Sequence, residues 1–180
     1  MKKNNVEIQL SKFKMALLAL GAFLFVALCV FIIFNAEQME SRKSTNLLLI
    51  RIIAVIGLLF FGAIFISVLK KITSRKPGLI IDEKGIWDHS NGVSIGLIEW
   101  HHITNIRKEK IQLTQFLLLD VSNPEFYLKK AQNKMKAQLM KANMAKYGTP
   151  ISISAGALKI NFMDLETLIN KYYLKSKLIK

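Results

Sequence analysis

Two long apolar runs, residues 15–34 (MALLALGAFLFVALCVFIIF) and 52–69 (IIAVIGLLFFGAIFISVL), carry no charged side chain. At a rise of about 1.5 Å per residue, each makes a helix roughly 27 to 30 Å long, the thickness of a bilayer's hydrocarbon core. Neither run has a polar face, so neither suits the surface of a small soluble domain, whereas lipid solvates every side of a helix at once. The pattern predicts two transmembrane helices, spanning about 15–34 and 47–69, rather than a buried core hairpin. A signal peptide fits less well, because the first run exceeds the usual apolar core and no small-residue cleavage site follows it. Cys29 lacks the small preceding residue of a lipoprotein signal, since Leu28 stands there.

Beyond residue 70 the apolar residues fall into short pieces. GLIID, IWD and VSIGLIEW are separated by Glu83-Lys84-Gly85 and by His89-Ser90-Asn91-Gly92, a β-meander in which Gly85 and Asn91-Gly92 supply left-handed turn conformations and Gly96 marks a bend. Two more strands are expected at HITNIRKEKI and QLTQFLLLDVS. Asn123-Pro124-Glu125 then has the form of a helix start, and one helix is predicted from there to Tyr147, stopped by Gly148. A strand at GTPISISAGALKI follows, with Pro150 at its entry. Asn161 caps a last helix whose Phe162, Leu165, Leu168, Ile169 and Tyr172 share one face.

The expected organisation is a tail plus hairpin over 1–76 and one soluble domain over 77–180. The soluble part is an α+β domain, a small antiparallel β-sheet or barrel with an inserted basic helix and a C-terminal capping helix.

The 180 residues carry a net charge of +14. It divides into +3 before the first span, +1 between Asn35 and Arg51, and +10 from Lys70 onward. Lys12 and Lys14 precede the first span, and Lys70, Lys71, Arg75 and Lys76 follow the second, so positive-inside retention predicts both termini in the cytoplasm. The connection NAEQMESRKSTN faces the other side, and Arg51 reaches the headgroups by snorkelling. Cys29 is the only cysteine and lies inside a span, which excludes an intrachain disulfide framework.

The string PGLIIDEKGIWD, with IEWHHITNI after it, resembles the opening of bacterial pleckstrin-homology-like domains through Trp100, Ile103 and Ile106. With GTPISIS near the end, the whole order is similar to a family of small bacterial membrane proteins with two spans and a cytoplasmic pleckstrin-homology-like domain. The residues that carry the resemblance are Pro77, Gly78, Asp82, Gly85, Trp100, Ile103, Gly148 and Pro150; His101-His102 departs from the serine-aspartate that often follows the tryptophan in such domains. The resemblance implies the bacterial cytoplasmic membrane as location and brings no reaction or ligand.

Catalytic and cofactor motifs are absent from the sequence: no phosphate-binding glycine loop, no HExxH and no GxSxG. His89, Asp88 and Asp82 are explained by turn polarity better than by a metal, and no cofactor is expected. Lysine predominates over arginine and no recognition-helix motif occurs, so nucleic acid is not expected either.

Anionic lipid is the nearer polyanion. The candidate lipid-facing or interaction residues are Lys70, Lys71, Arg75 and Lys76 beside the membrane, and Lys129, Lys130, Lys134, Lys136 and Lys141 on the inserted helix. In that arrangement Met140 and Met144 enter the interface while Leu128, Met135 and Leu139 pack on the β domain; a helix merely kept soluble by its lysines is the alternative. The function expected is a non-enzymatic, membrane-anchored interaction module binding a protein partner or anionic headgroups. Its rival, a small subunit of a transport or enzyme complex, needs polar groups inside the spans, and there Arg51, Ser67 and Cys29 are almost the only ones. Oligomeric state is not legible.

Overall fold

A computed structural model describes residues 5–36, 47–90 and 94–178. The chain divides into two compact units, Lys12–Arg75 and Met1–Ser11 together with Lys76–Lys180.

The first unit is a pair of helices, α1 (Lys12–Asn35) and α2 (Leu47–Thr73). Both are long and apolar enough to cross a membrane. Their large side chains are mostly uncovered by protein, among them Leu17, Phe25, Leu49 and Phe60, as expected of helices whose solvent is lipid. Small residues let the pair approach: a Cβ at Gly57 would stand 2.9 Å from the Cys29 Sγ, and Phe25 stacks on Phe61 at 4.4 Å. The Ser67 hydroxyl donates to the Ala63 carbonyl at 2.7 Å, so it is satisfied within its own helix.

The second unit holds two antiparallel sheets. One has the order β1 (Val6–Ile8), β2 (Leu79–Ile81), β3 (Gly85–Asp88) and β4 (Gly96–Glu99); the other is β5 (Ile103–Ile111), β6 (Thr114–Val121) and β7 (Ile151–Ser154). Between β6 and β7 lie α3 (Pro124–Lys129) and α4 (Lys134–Tyr147), and α5 (Phe162–Leu178) closes the chain. Leu79, Ile81, Ile86, Ile98, Leu117, Leu119, Ile153 and Leu158 form the centre of one apolar core, which α5 covers with Leu165, Ile169 and Tyr173. The α5 start is built as its sequence suggests: Asn161 Oδ1 accepts from the Asp164 amide at 2.9 Å, and its Nδ2 donates to Asp164 Oδ2 at 2.7 Å.

Several elements differ from the sequence expectations. The N-terminal tail is not separate from the soluble domain. Val6 pairs with Ile81 and Ile8 with Leu79, and Leu10 bridges to Leu158, so the first residues supply an edge strand and Ile8 enters the core. The hairpin is thus inserted between two neighbouring strands. The expected single helix 124–147 is two, because Asn133 caps a new one by accepting from the Lys136 amide at 2.8 Å.

Trp100 ends the strand early and opens a short 3-10 turn, Trp100–His102, in which the His101 and His102 rings lie 4.1 Å apart. Gly85 is needed for space rather than for a left-handed conformation, since a Cβ there would overlap the Ile98 carbonyl. Among the described residues the left-handed glycines are Gly96 and Gly148, each at φ 78°. The Asn91-Gly92 turn and the connection 37–46 lie outside the described residues.

Candidate functional site

The helical insert leaves β6 at Ser122 and is fixed at both ends by local caps. Asn123 accepts from the Phe126 amide at 3.0 Å with Pro124 in the first turn, and Gly148 closes α4 by donating its amide to the Met144 carbonyl at 2.9 Å. Tyr127 holds α3 to the sheet: it is fully buried, its hydroxyl accepts from the Glu99 amide at 3.3 Å, and His102 Nδ1 lies 2.9 Å away. Burial pushes the Tyr127 phenol above its ordinary pKa, so it stays neutral and hydrogen-bonded. At the other end the Arg107 guanidinium makes two hydrogen bonds with Asp120, at 2.8 and 2.7 Å, and donates to the Tyr147 carbonyl at 2.7 Å.

The five lysines of the insert singled out from the sequence do not act alike. Lys130 and Lys136 turn toward the protein: Lys130 meets a carbonyl of β4, the edge of its sheet, and Lys136 one at Ser94, just before that strand. The Lys130 ammonium donates to the Leu97 carbonyl at 3.5 Å and lies 4.3 Å from the Phe126 ring centre, and Lys136 donates to the Ser94 carbonyl. Lys129, Lys134 and Lys141 are exposed, as is Lys146. The apolar residues of α4 face opposite to expectation: Met140 is 0% exposed and belongs to the core, while Met135 is 69% and Leu139 46% exposed. The break at 130–133 is the cause. It resets the helical phase, so Leu128 packs against the core while Met135 and Leu139 do not.

Of the cations beside the hairpin, Lys70 and Lys71 occupy the last turn of α2, where positive charge complements the helix C-terminus. Arg75 and Lys76 are exposed. Pro77 and Gly78 lead into β2, and a Cβ at Gly78 would collide with the Leu158 and Leu10 side chains. Asp82 organises the β2–β3 turn: Oδ1 accepts from the Lys84 and Gly85 amides at 2.8 and 3.1 Å, Oδ2 from the Trp87 indole at 3.1 Å, and its carbonyl from the Trp100 indole at 2.8 Å. Ile103 is buried, and Pro150 is buried at the entry to β7, where Thr149 donates to the Leu119 carbonyl.

An open cleft of about 700 Å³ beside Trp100 carries Glu83, Lys84, Glu99, His101 and Lys177 on its walls. Glu99 and His101 approach to 3.5 Å, and the Ser176 hydroxyl in the same cleft is committed to the Tyr173 carbonyl at 2.7 Å. Among the described residues no three His, Cys, Asp or Glu side chains stand close enough to hold a metal ion. Asp88 is 2% exposed and accepts from the Ser90 amide and hydroxyl at 2.8 and 2.6 Å, a loop-fixing arrangement that sequence reasoning took only as turn polarity.

The molecule so described is a helical hairpin able to cross a membrane, inserted into an α+β unit with antiparallel sheets. Residues 4–134 match the model of DUF5381, a family of unknown function, and the chain belongs to that family. The match runs from β1 through the hairpin to the start of α4. No curated protein and no solved structure matches the chain.

Proposed function

We propose that this chain is a non-enzymatic, membrane-anchored interaction module. Its hairpin spans the bacterial cytoplasmic membrane with both termini inside, and its soluble unit is a pleckstrin-homology-like domain that binds a protein partner or anionic headgroups at the bilayer. The two antiparallel sheets closed by a C-terminal helix support the domain assignment, and the charge steps at Lys12, Lys14, Lys70 and Lys71 support the orientation.

One observation carries the functional reading: the hairpin is inserted between two paired strands, β1 and β2. Only Gln9–Ser11 separates β1 from α1, and only Ser74–Gly78 separates α2 from β2. Extended fully, such links reach about 10 and 18 Å, so the soluble unit is tied at two points close to the headgroups. Such a mounting suits a surface that works beside the membrane. It leaves no long tether for a diffusing enzyme.

The test is native mass spectrometry of the full chain extracted in a mild detergent. An interaction module retains a protein partner or anionic lipid in a fixed ratio. A chain that emerges bare from several mild extractions, and binds neither on re-addition, contradicts the proposal.

A further inference from the structure

We infer that the outward face of α4 is a lipid-docking surface for an anionic bilayer, with Met135, Leu139 and Ala142 against the interface and Lys134, Lys141 and Lys146 over headgroup phosphates. The inference rests on the membrane-mounted reading above and adds the element that makes contact.

Met135, Leu139, Ala142 and Lys146 recur at helical spacing, and Lys134, Gln138, Lys141 and Ala145 flank them; all eight are exposed. At about 100° per residue they fill one arc of roughly 160°. The opposite side is occupied, with Met140 in the core and Asn143 donating to the Ser152 hydroxyl at 3.3 Å. Lys134 and Lys141 border Met135, Leu139 and Ala142 on one side and Lys146 stands among them, so the exposed face joins apolar side chains to cations and holds no acid, a composition that suits an anionic membrane interface. No Asp or Glu occurs between Glu125 and Asp164, so nothing on this helix opposes an anionic surface.

Position within the soluble unit points the same way. Leu79 at the start of β2 pairs with Asp88 at the end of β3, and the His89 amide donates to the Gly78 carbonyl at 2.9 Å. Gly96 at the start of β4 pairs with Asp88, so His89 and Ser94 lie toward the end of the sheet where the chain arrives from α2. Lys136 in the first turn of α4 donates to the Ser94 carbonyl. The start of α4 thus stands at the end of the sheet that carries the membrane junctions. Charge complementarity and covalent proximity together favour lipid over an acidic protein as the occupant.

The test uses the full chain with Cys29→Ser, reconstituted in phosphatidylcholine vesicles with or without about 30% phosphatidylglycerol, an anionic lipid. A polarity-sensitive fluorophore is placed at Leu139→Cys, with Thr167→Cys on the exposed side of α5 as the reference. Docking predicts a blue shift and quenching by brominated lipid at position 139 only. Both effects require phosphatidylglycerol and disappear near 1 M salt, where the Debye length falls to about 3 Å. Lys134→Gln, Lys141→Gln and Lys146→Gln should each lower the docked-to-free ratio by roughly fivefold.

A position 139 that stays aqueous in anionic vesicles at low salt overturns the inference. So does shielding that is equal in neutral vesicles or appears only with added protein, the latter making a protein the occupant. Carbonate washing separates the two levels. A chain that leaves the vesicles refutes the mounting itself, and one that stays with an aqueous position 139 refutes only the α4 contact.

Discussion

Trp100→Ala is the substitution that most directly probes the core of the soluble unit. Trp100 is 5% exposed, packs against the Tyr173 ring at 6.3 Å, and donates its indole N–H to the Asp82 carbonyl at 2.8 Å. Truncating a buried tryptophan costs about 3 to 5 kcal/mol through lost transfer energy and the residual cavity. Because one side of the ring borders the open cleft, water can enter part of the vacated space, which puts the expected loss near 3 kcal/mol. Trp100→Phe keeps most of the apolar contact but removes the hydrogen bond and part of the ring volume, an expected loss of about 1 to 2 kcal/mol. Urea titration of the full chain in detergent micelles can follow both variants, since Trp87 remains as reporter. Equal losses for Phe and Ala would make the hydrogen bond the whole effect. A loss below about 1 kcal/mol for Ala would refute the placement of the ring in the core.

Burial raises the Asp88 pKa above its ordinary 3.8, so the folded chain holds that proton more tightly than the unfolded chain. Its contribution is greatest at low pH and is lost as pH rises from the unfolded value through the raised folded value. Asp88→Asn keeps an oxygen for the Ser90 amide and hydroxyl and removes that slope. Urea midpoints across the acid range should therefore favour the variant increasingly as pH rises, and a constant difference contradicts the burial. A fragment starting at Pro77 lacks β1, leaving Leu79 and Ile81 without their partner strand. It should melt below a chain in which Ser11 is joined to Lys76 by a short Gly-Ser linker, and equal melting would remove β1 from the fold.

What the sequence discloses about this fold follows the range of the interaction. The caps at Asn123, Asn161 and Gly148 are legible because donor and acceptor lie within a few residues. The apolar runs of α1 and α2 are legible because lipid imposes one uniform requirement on every position. Strand β1 is not: Val6–Ile8 is short, and its partner strand lies on the far side of the hairpin. The break before α4 carries neither glycine nor proline, only Asn133, a cap that also fits a helix interior in a propensity reading. Missing it inverted the faces of α4 and made Met140 an interfacial residue when it is core. The turns of Lys130 toward β4 and of Lys136 toward Ser94 depend on which strand forms the sheet edge, which local pattern does not disclose. The tight turn of the β5–β6 hairpin has no glycine either; Gln112 adopts φ 54° there.

A hairpin that crosses the membrane with the whole soluble unit on the cytoplasmic side leaves only the α1–α2 connection open to an impermeant thiol reagent in intact cells. In a Cys29→Ser background, Ser41→Cys lies between α1 and α2 and Lys175→Cys lies exposed on α5. An impermeant maleimide should label position 41 before lysis and position 175 only after it. Labelling of position 175 in intact cells, with position 41 protected until lysis, would put the soluble unit on the outer side and reverse the orientation.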